Sequence, residues 1–163
     1  MRILKYTVIT AFAILVFTYA LHAEEPIHII IMHTNDVHGG IDRQGATFMD
    51  EEFPPQLGGG ASLARLVRKL RQQAKQEGKG FLLLDTGDIW QGTPLGNYRG
   101  GEAVVRFMNL IGYDAWVPGN HEFDAGKENA FKLFRLARMP VLGANLIDEE
   151  TGEIPEPLVP YII

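Results

Sequence analysis

Three short apolar runs along the chain are typical of strands inside a parallel sheet. They are IHIIIM (27–32), FLLLD (81–85) and DAWV (114–117). The first run contains four isoleucines, so we expect it to be buried on both faces of the sheet. The stretch PVLGANL (140–146) is expected to form a fourth strand or an extended segment.

Amphipathic segments separate these runs. In residues 61–76, apolar residues recur at helical spacing, with Arg and Lys on the opposite face. Residues 101–112 and 127–138 are also predicted to be helices. Glu77 and Gly78 should end the first of these helices, and Pro140 should prevent the last from continuing. Strands that alternate with helices predict an α/β fold with a mainly parallel sheet.

The first 23 residues have the layout of a secretory signal peptide. Arg2 and Lys5 precede a charge-free, mostly apolar run over 6–21, and the small residue Ala23 is followed by acidic, polar sequence. We expect cleavage after Ala23, which leaves 24–163 as the mature chain. The alternative is an uncleaved membrane anchor, for which the run is slightly short, because a span needs about 20 apolar residues.

Composition narrows the possible partners. The chain has no cysteine, which excludes disulfides and cysteine-ligated zinc. Of its 15 Lys and Arg residues, 13 remain without Arg2 and Lys5, against 20 Asp and Glu, so the mature formal charge is −7. This acidic balance argues against binding a nucleic-acid polymer. An anionic substrate would need a local field reversal, which a bound dication can supply. We expect a periplasmic, cell-surface or extracellular protein that meets the membrane only during export.

Polar motifs follow each of the first three predicted strands. They are HTNDVHG (33–39), DTGDIWQG (85–92) and GNHEFD (119–124). In open α/β sheets, ligands bind beyond the carboxyl ends of the strands. The three loops should therefore converge at one edge of the sheet.

The first two motifs offer candidate metal ligands. Asp36 and His38 are two residues apart, so in an extended loop both side chains project to the same side. Gly87 allows a sharp turn that points Asp88 back at the sheet edge. Each motif alone has a simpler interpretation as a solvated turn, but their order and position together indicate a metal site.

The third motif adds an amide, an imidazole and two carboxylates. Asn120 offers a neutral oxygen, and Asp124 lies three residues after His121, where it can fix the tautomer of the imidazole. Taken alone, the motif could also be a helix cap. We expect Glu122 to be a solvated carboxylate or one that supports the site from behind.

Other residues of these types are expected to serve the fold. His28 lies inside the first predicted strand and His33 at its end, and we expect both to be structural. Trp90 and Trp116 are expected to pack in the core rather than stack on a substrate. The glycine-rich GGGAS (58–62) is not a phosphate loop, because no G-K-[ST] follows it.

The order D-x-H, G-D, G-N-H-[DE] resembles the dinuclear metallophosphoesterase superfamily. The longer segments HTNDVHG, GDIWQGTPLGN and PGNHEFDAG resemble the 5′-nucleotidase and UDP-sugar hydrolase family of exported enzymes. This resemblance implies the N-terminal part of an α/β sandwich, in which sheet layers are flanked by helices. It also implies hydrolysis of a small phosphorylated substrate, either a nucleoside monophosphate or a nucleotide sugar.

The resemblance also implies roles for individual residues. Asp36 and His38 match ligands of a first metal, Asp88 a carboxylate that bridges two metals, Asn120 a ligand of the second metal, and His121 with Asp124 the catalytic pair. Mixed nitrogen and oxygen ligands suit Zn, Mn, Co, Fe or Ni, and availability decides among them.

The family also uses histidines from far downstream, and this chain has none after His121. We therefore expect a truncated catalytic domain without the family's C-terminal nucleotide-binding domain. Such a chain should hold at most one weakly bound metal and show poor activity by itself. Alternatives within the superfamily are a sulfur-oxidation thiohydrolase and a cyclic-nucleotide phosphodiesterase. The alternative outside it is a non-catalytic remnant or a metal-binding module.

Overall fold

The computed structural model of the protein describes residues 26–162. The predicted signal peptide (1–23) lies outside the described residues. Among the residues that are described, no helix combines the length and apolar character that crossing a bilayer requires.

A parallel sheet of three strands forms the centre of the described structure. The strands are β1 (Ile29–Thr34), β2 (Gly80–Asp85) and β3 (Ala115–Trp116), in the order β1-β2-β3. Thr34 lies opposite Asp85, which lies opposite Trp116, so the carboxyl ends of all three strands meet at one edge. The predicted parallel α/β arrangement is confirmed.

Residues 140–146 form an extended stretch rather than a full strand. Only isolated bridges pair it with its neighbours, Val141 with Trp116 and Leu142 with Val159. Of the two alternatives that the sequence left open, the structure therefore has the extended segment.

Four helices connect and cover the strands in the described chain. They are α1 (Gly59–Gln76), α2 (Pro94–Asn97), α3 (Glu102–Ile111) and α4 (Lys127–Leu136). The three long helices lie within two residues of their predicted bounds. The sequence pattern missed α2, a single turn in which the Thr93 hydroxyl accepts a hydrogen bond from the Gly96 N–H at 2.9 Å. Four residues are too few to show a helical repeat of apolar positions.

The hydrophobic core lies between the sheet and its helices. Leu83, Trp116, Val67, Leu133 and Phe134 are all almost completely buried there. The rings of Trp116 and Phe134 pack edge to face, with centroids 5.3 Å apart. Trp90 is buried in the same cluster, which confirms that both tryptophans are packing residues.

The expectation that the first strand is buried on both faces is wrong. Ile29 and Ile31 are 55% and 61% exposed, while Met32 packs against the core. The reason is position: β1 is at the edge of the described sheet, and the core packs against only one of its faces. The strand also begins later than predicted, so His28 precedes it and His33 lies inside it, both exposed.

We predict different costs for two leucine-to-alanine changes in helices. Leu133→Ala empties a fully buried site and should lower the free energy of unfolding by about 2–5 kcal/mol. The matched control is Leu110→Ala, because Leu110 is 84% exposed and its loss should cost about 0.5 kcal/mol or less. Urea denaturation of both variants measures the difference, and equal costs would contradict this description of the core.

Candidate metal centre at the strand ends

Backbone hydrogen bonds tie the loop after β1 to the loop after β2. The N–H groups of Asp36 and His38 donate to the carbonyls of Gly87 and Asp88 at 3.1 and 2.9 Å. This pairing continues the β1–β2 ladder beyond the strand ends and fixes the two motifs side by side. The first two motifs therefore converge as the sequence predicted.

The candidate ligands sit on unusual backbone. Asp36, His38 and Asp88 all have positive φ values, of 52°, 46° and 56°. This conformation is unfavourable for residues with a Cβ, at roughly 1–3 kcal/mol each, and such residues cluster at functional sites. The surrounding hydrogen bonds hold the three residues in this conformation.

Two glycines let the loops after β2 and β3 touch. A Cβ on Gly87 would overlap the backbone of Gly119, and a Cβ on Gly119 would overlap the carboxylate of Asp88. Gly87 also has a φ of 101°, which favours glycine. Only glycine at both positions lets the second and third motifs approach this closely.

One atom from each of His38, Asp88 and His121 lies within 4.8 Å of the others. The His38 Nδ1 is 2.9 Å from the carbonyl oxygen of Gln91. Because a carbonyl can only accept a hydrogen bond, Nδ1 carries the hydrogen, and the lone pair of Nε2 remains available to a cation. Asp88 uses Oδ1 to accept the backbone N–H of His121 at 2.9 Å, which leaves Oδ2. These donors fit a divalent cation.

The remaining proposed ligands are placed differently. Asp36 lies outside the group of three, and its Oδ2 accepts a hydrogen bond from the Asn35 side chain at 2.8 Å. Asn120 is exposed and directly precedes the 3₁₀ turn His121–Phe123. The structure thus brings together His38 and Asp88, and adds His121, which the sequence placed among the catalytic residues. The ligand roles of Asp36 and Asn120 stay predictions.

A family model described as calcineurin-like phosphoesterase matches residues 29–151, a range that contains all three motifs. The chain belongs to the calcineurin-like phosphoesterase family.

Individual relatives of this calcineurin-like phosphoesterase agree with that assignment. Over 82% of the chain it is 39% identical to "Protein UshA" of Salmonella pullorum, and over 72% it is 42% identical to a 5′-nucleotidase of Rattus norvegicus. The chain spans only 23% and 20% of the lengths of these two proteins. The solved structure of a sulfate thiohydrolase, SoxB, from Thermus thermophilus superposes with a TM-score of 0.67 over 80% of this chain and 32% of that one. Its identity is 22%, which shows a common fold.

His121 forms a close pair with Asp124 in this phosphoesterase domain. Its Nδ1 and the Asp124 Oδ2 are 2.6 Å apart, the contact that their spacing predicted. The hydrogen bond to Asp124 raises the pKa of His121 above its ordinary value, and the charges of Asp124, Asp88 and Glu122 act in the same direction. Desolvation opposes the rise. The pair therefore favours the protonated imidazole.

Glu122 is fully buried, which excludes the first of the two alternatives expected for it, a solvated carboxylate. Its carboxylate accepts hydrogen bonds from the backbone N–H groups of Asp88 at 3.0 Å, Ile89 at 2.9 Å and Gly119. Burial raises the pKa of Glu122, and the three hydrogen bonds oppose that rise. Of the two expectations for this residue, the structure has the carboxylate that supports the site from behind.

A second buried carboxylate, Asp85, is the first residue of the second motif, but the sequence pattern assigned it no role. It accepts hydrogen bonds from the Thr34 hydroxyl at 2.6 Å and from the Gly87 N–H at 2.8 Å, and the Thr34 hydroxyl also contacts that of Tyr113 at 2.8 Å. Burial raises the pKa of Asp85 to about 6, against the effect of these hydrogen bonds. The sequence signal that could have indicated this role is an aspartate at the end of a strand, directly before a turn that contains Gly-Asp. Asp85 anchors the turn that carries Asp88.

We predict that Asp124→Asn lowers the pKa of His121 in the metal-free protein, measured by NMR titration of the ring. A raised histidine pKa contributes stability that is fully present below the unfolded pKa, about 6.5, and is lost as pH rises through the folded value. The wild type should therefore exceed the variant in thermal stability more at pH 5.5 than at pH 8.5.

Asp148→Asn is the matched control, because Asp148 pairs with Lys127 at 3.0 Å rather than with His121. It should leave the His121 titration unchanged. An unchanged His121 pKa in Asp124→Asn would remove Asp124 as its partner.

Proposed function

We propose that this chain carries the metal-binding strand-end loops of a divalent-metal-dependent phosphoester hydrolase of the 5′-nucleotidase type. The observation that carries the proposal is the convergence of two candidate ligands, His38 and Asp88, and the candidate catalytic residue His121 within 4.8 Å at the edge where three parallel strands end. We infer a small phosphorylated nucleotide as substrate, and an exported location from the residues before Glu24.

The relatives support this substrate class. The rat relative is named a 5′-nucleotidase, and it is 42% identical to this chain over 119 residues. The chain's acidic balance would repel a phosphate, and a cation bound at the site would offset that repulsion locally. The mixed imidazole and carboxylate donors suit Zn, Mn or Co, and they do not select one of these metals.

The proposed chemistry assigns a task to each group. His38 and Asp88, with Asp36 and Asn120 as further ligands, would hold the cation. When bound, divalent metal supplies an activated water and stabilises charge on phosphoryl oxygens. Asp124 holds Nδ1 of His121, which leaves Nε2 as the free ring nitrogen. The protonated ring can stabilise a phosphoryl oxygen or give its proton to the leaving alkoxide of the nucleoside.

Other activities have less support. The likeness to the thiohydrolase concerns the fold alone. A cyclic-nucleotide phosphodiesterase would use the same loops, and no residue described above favours it over a nucleotidase. A metal-binding module without catalysis would bind the cation and lack turnover in any extended form of the chain, so the two experiments below separate it from an enzyme.

We predict that the protein binds Mn²⁺ or Zn²⁺ and that Asp88→Ala removes the binding. The physical reason is that this change deletes the only carboxylate in the group of three. Isothermal titration calorimetry measures it, with Asp42→Ala as the matched control, because Asp42 is exposed in the loop that follows the first motif. Equal binding by wild type and Asp88→Ala would exclude this site.

We predict poor hydrolysis of AMP and of an aryl phosphate by the 163-residue chain, because no histidine after His121 is present to complete a second metal site. Extending it with the downstream part of a 5′-nucleotidase relative should produce chelator-sensitive turnover. In the extended protein, His121→Ala should lower turnover by roughly 10²–10⁴-fold while metal affinity changes little.

Three outcomes would contradict this assignment. Rapid chelator-sensitive turnover by the unextended chain would show that further ligands are not needed. Normal turnover by His121→Ala would remove the histidine from the chemistry. An equal loss of metal affinity and turnover would make His121 a ligand instead.

A further inference from the structure

We propose that Glu122 is a positioning residue that sets the distance between the Asp88 carboxylate and the His121 imidazole. The consequence of this positioning for catalysis rests on the proposed function. The effect of Glu122 on the two loops can be measured without metal. The Glu122 side chain accepts three hydrogen bonds from the backbone of the two loops, and few other contacts join these loops.

Strand pairing alone holds these loops together weakly. β3 has only two residues, and it pairs with β2 through Leu84–Ala115 and Asp85–Trp116. The Asp88 and His121 side chains project from loops beyond these pairs. A further connection is needed to keep both loops in register.

Glu122 supplies that connection from the loop after β3. Its Oε1 accepts the Ile89 N–H and its Oε2 accepts the N–H groups of Asp88 and Gly119. The first two donors belong to the loop after β2, 33 and 34 residues earlier in the chain. One fully buried carboxylate thus joins the backbones of both loops.

Asp88 forms a second connection, in the opposite direction, from the loop after β2 to the loop after β3. Its Oδ1 accepts the backbone N–H of His121 at 2.9 Å, so each loop holds the other through a carboxylate. The contact between Gly87 and Gly119 leaves no space for the loops to slide closer. In this reciprocal arrangement, loss of the Glu122 carboxylate should also loosen the bond from His121 to Asp88.

The arrangement requires a carboxylate rather than an amide. A glutamine side chain has one acceptor oxygen and one NH₂ group. The NH₂ group would face a backbone N–H, and two donors cannot form a hydrogen bond with each other. Either Ile89 or the pair of Asp88 and Gly119 would lose its acceptor inside the protein, which is costly for a buried donor.

The decisive experiment is amide hydrogen exchange by NMR on the metal-free 163-residue chain, comparing wild type with Glu122→Gln. The inference predicts at least tenfold faster exchange at Asp88, Ile89 and Gly119, and also at His121. The His121 amide separates a positioning role from the simple loss of three hydrogen bonds, because its acceptor is Asp88 and not Glu122. Faster exchange confined to the three direct donors would overturn the inference.

Asp114→Asn is the matched control, because the Asp114 carboxylate accepts the Leu83 N–H at 2.7 Å, a backbone N–H inside β2 rather than in either of the two loops. It should leave exchange at His121 unchanged. If Glu122→Gln does not fold, the comparison uses Glu122→Asp, whose shorter side chain cannot reach all three donors. The same acceleration at His121 is expected there, and its absence would overturn the inference.

Co²⁺ titration gives a second test. Its readout, the absorption spectrum of bound Co²⁺, would not change if the substitution only lowered the stability of the fold. Glu122→Gln should bind Co²⁺ at least tenfold more weakly and with an altered visible absorption spectrum, while Asp114→Asn keeps both properties of the wild type. Equal affinity and equal spectra would overturn the inference. If the wild type binds no Co²⁺, the proposed function fails, and exchange at His121 alone decides the role of Glu122.

Discussion

Close contact between the Gly87 and Gly119 backbones is the constraint on which the geometry of the site depends. At these two glycines, the loops that follow β2 and β3 are in direct contact. A side chain at either position would push the loops apart. This contact brings the Asp88 carboxylate against the backbone of His121, where it accepts a hydrogen bond. The position of the candidate metal centre is therefore decided by backbone packing before any side chain binds a ligand.

Negative charge is concentrated around this contact. Asp85 and Glu122 are buried beneath the loops that carry Asp88, and each has a pKa that burial raises. Backbone N–H groups and the Thr34 hydroxyl supply the hydrogen bonds of both buried carboxylates. A site with this field favours a cation, and the protonated form of His121 beside Asp124 is favoured for the same reason.

The sequence predicted the parts of the structure that depend on periodicity and on strand ends. The three long helices, the parallel sheet and the convergence of the motifs followed from apolar spacing and from the position of each motif after a strand. The His121–Asp124 contact followed from a local spacing of three residues. Exposure of Ile29 and Ile31 could not be predicted, because an apolar run does not say whether a second layer covers it. Asp85 is buried against the Thr34 hydroxyl, 51 residues away, and Glu122 against the backbone N–H groups of Asp88 and Ile89, 34 and 33 residues away. No local sequence pattern reveals donors at these separations.

The most direct test of the central claim is anomalous X-ray diffraction from crystals of the protein grown with Mn²⁺. We expect an anomalous peak at the strand-end edge, within coordination distance of an oxygen of Asp88 and a nitrogen of His38. A peak only at another acidic part of the surface, or no peak at this edge at saturating Mn²⁺, would contradict a metal centre built from these loops.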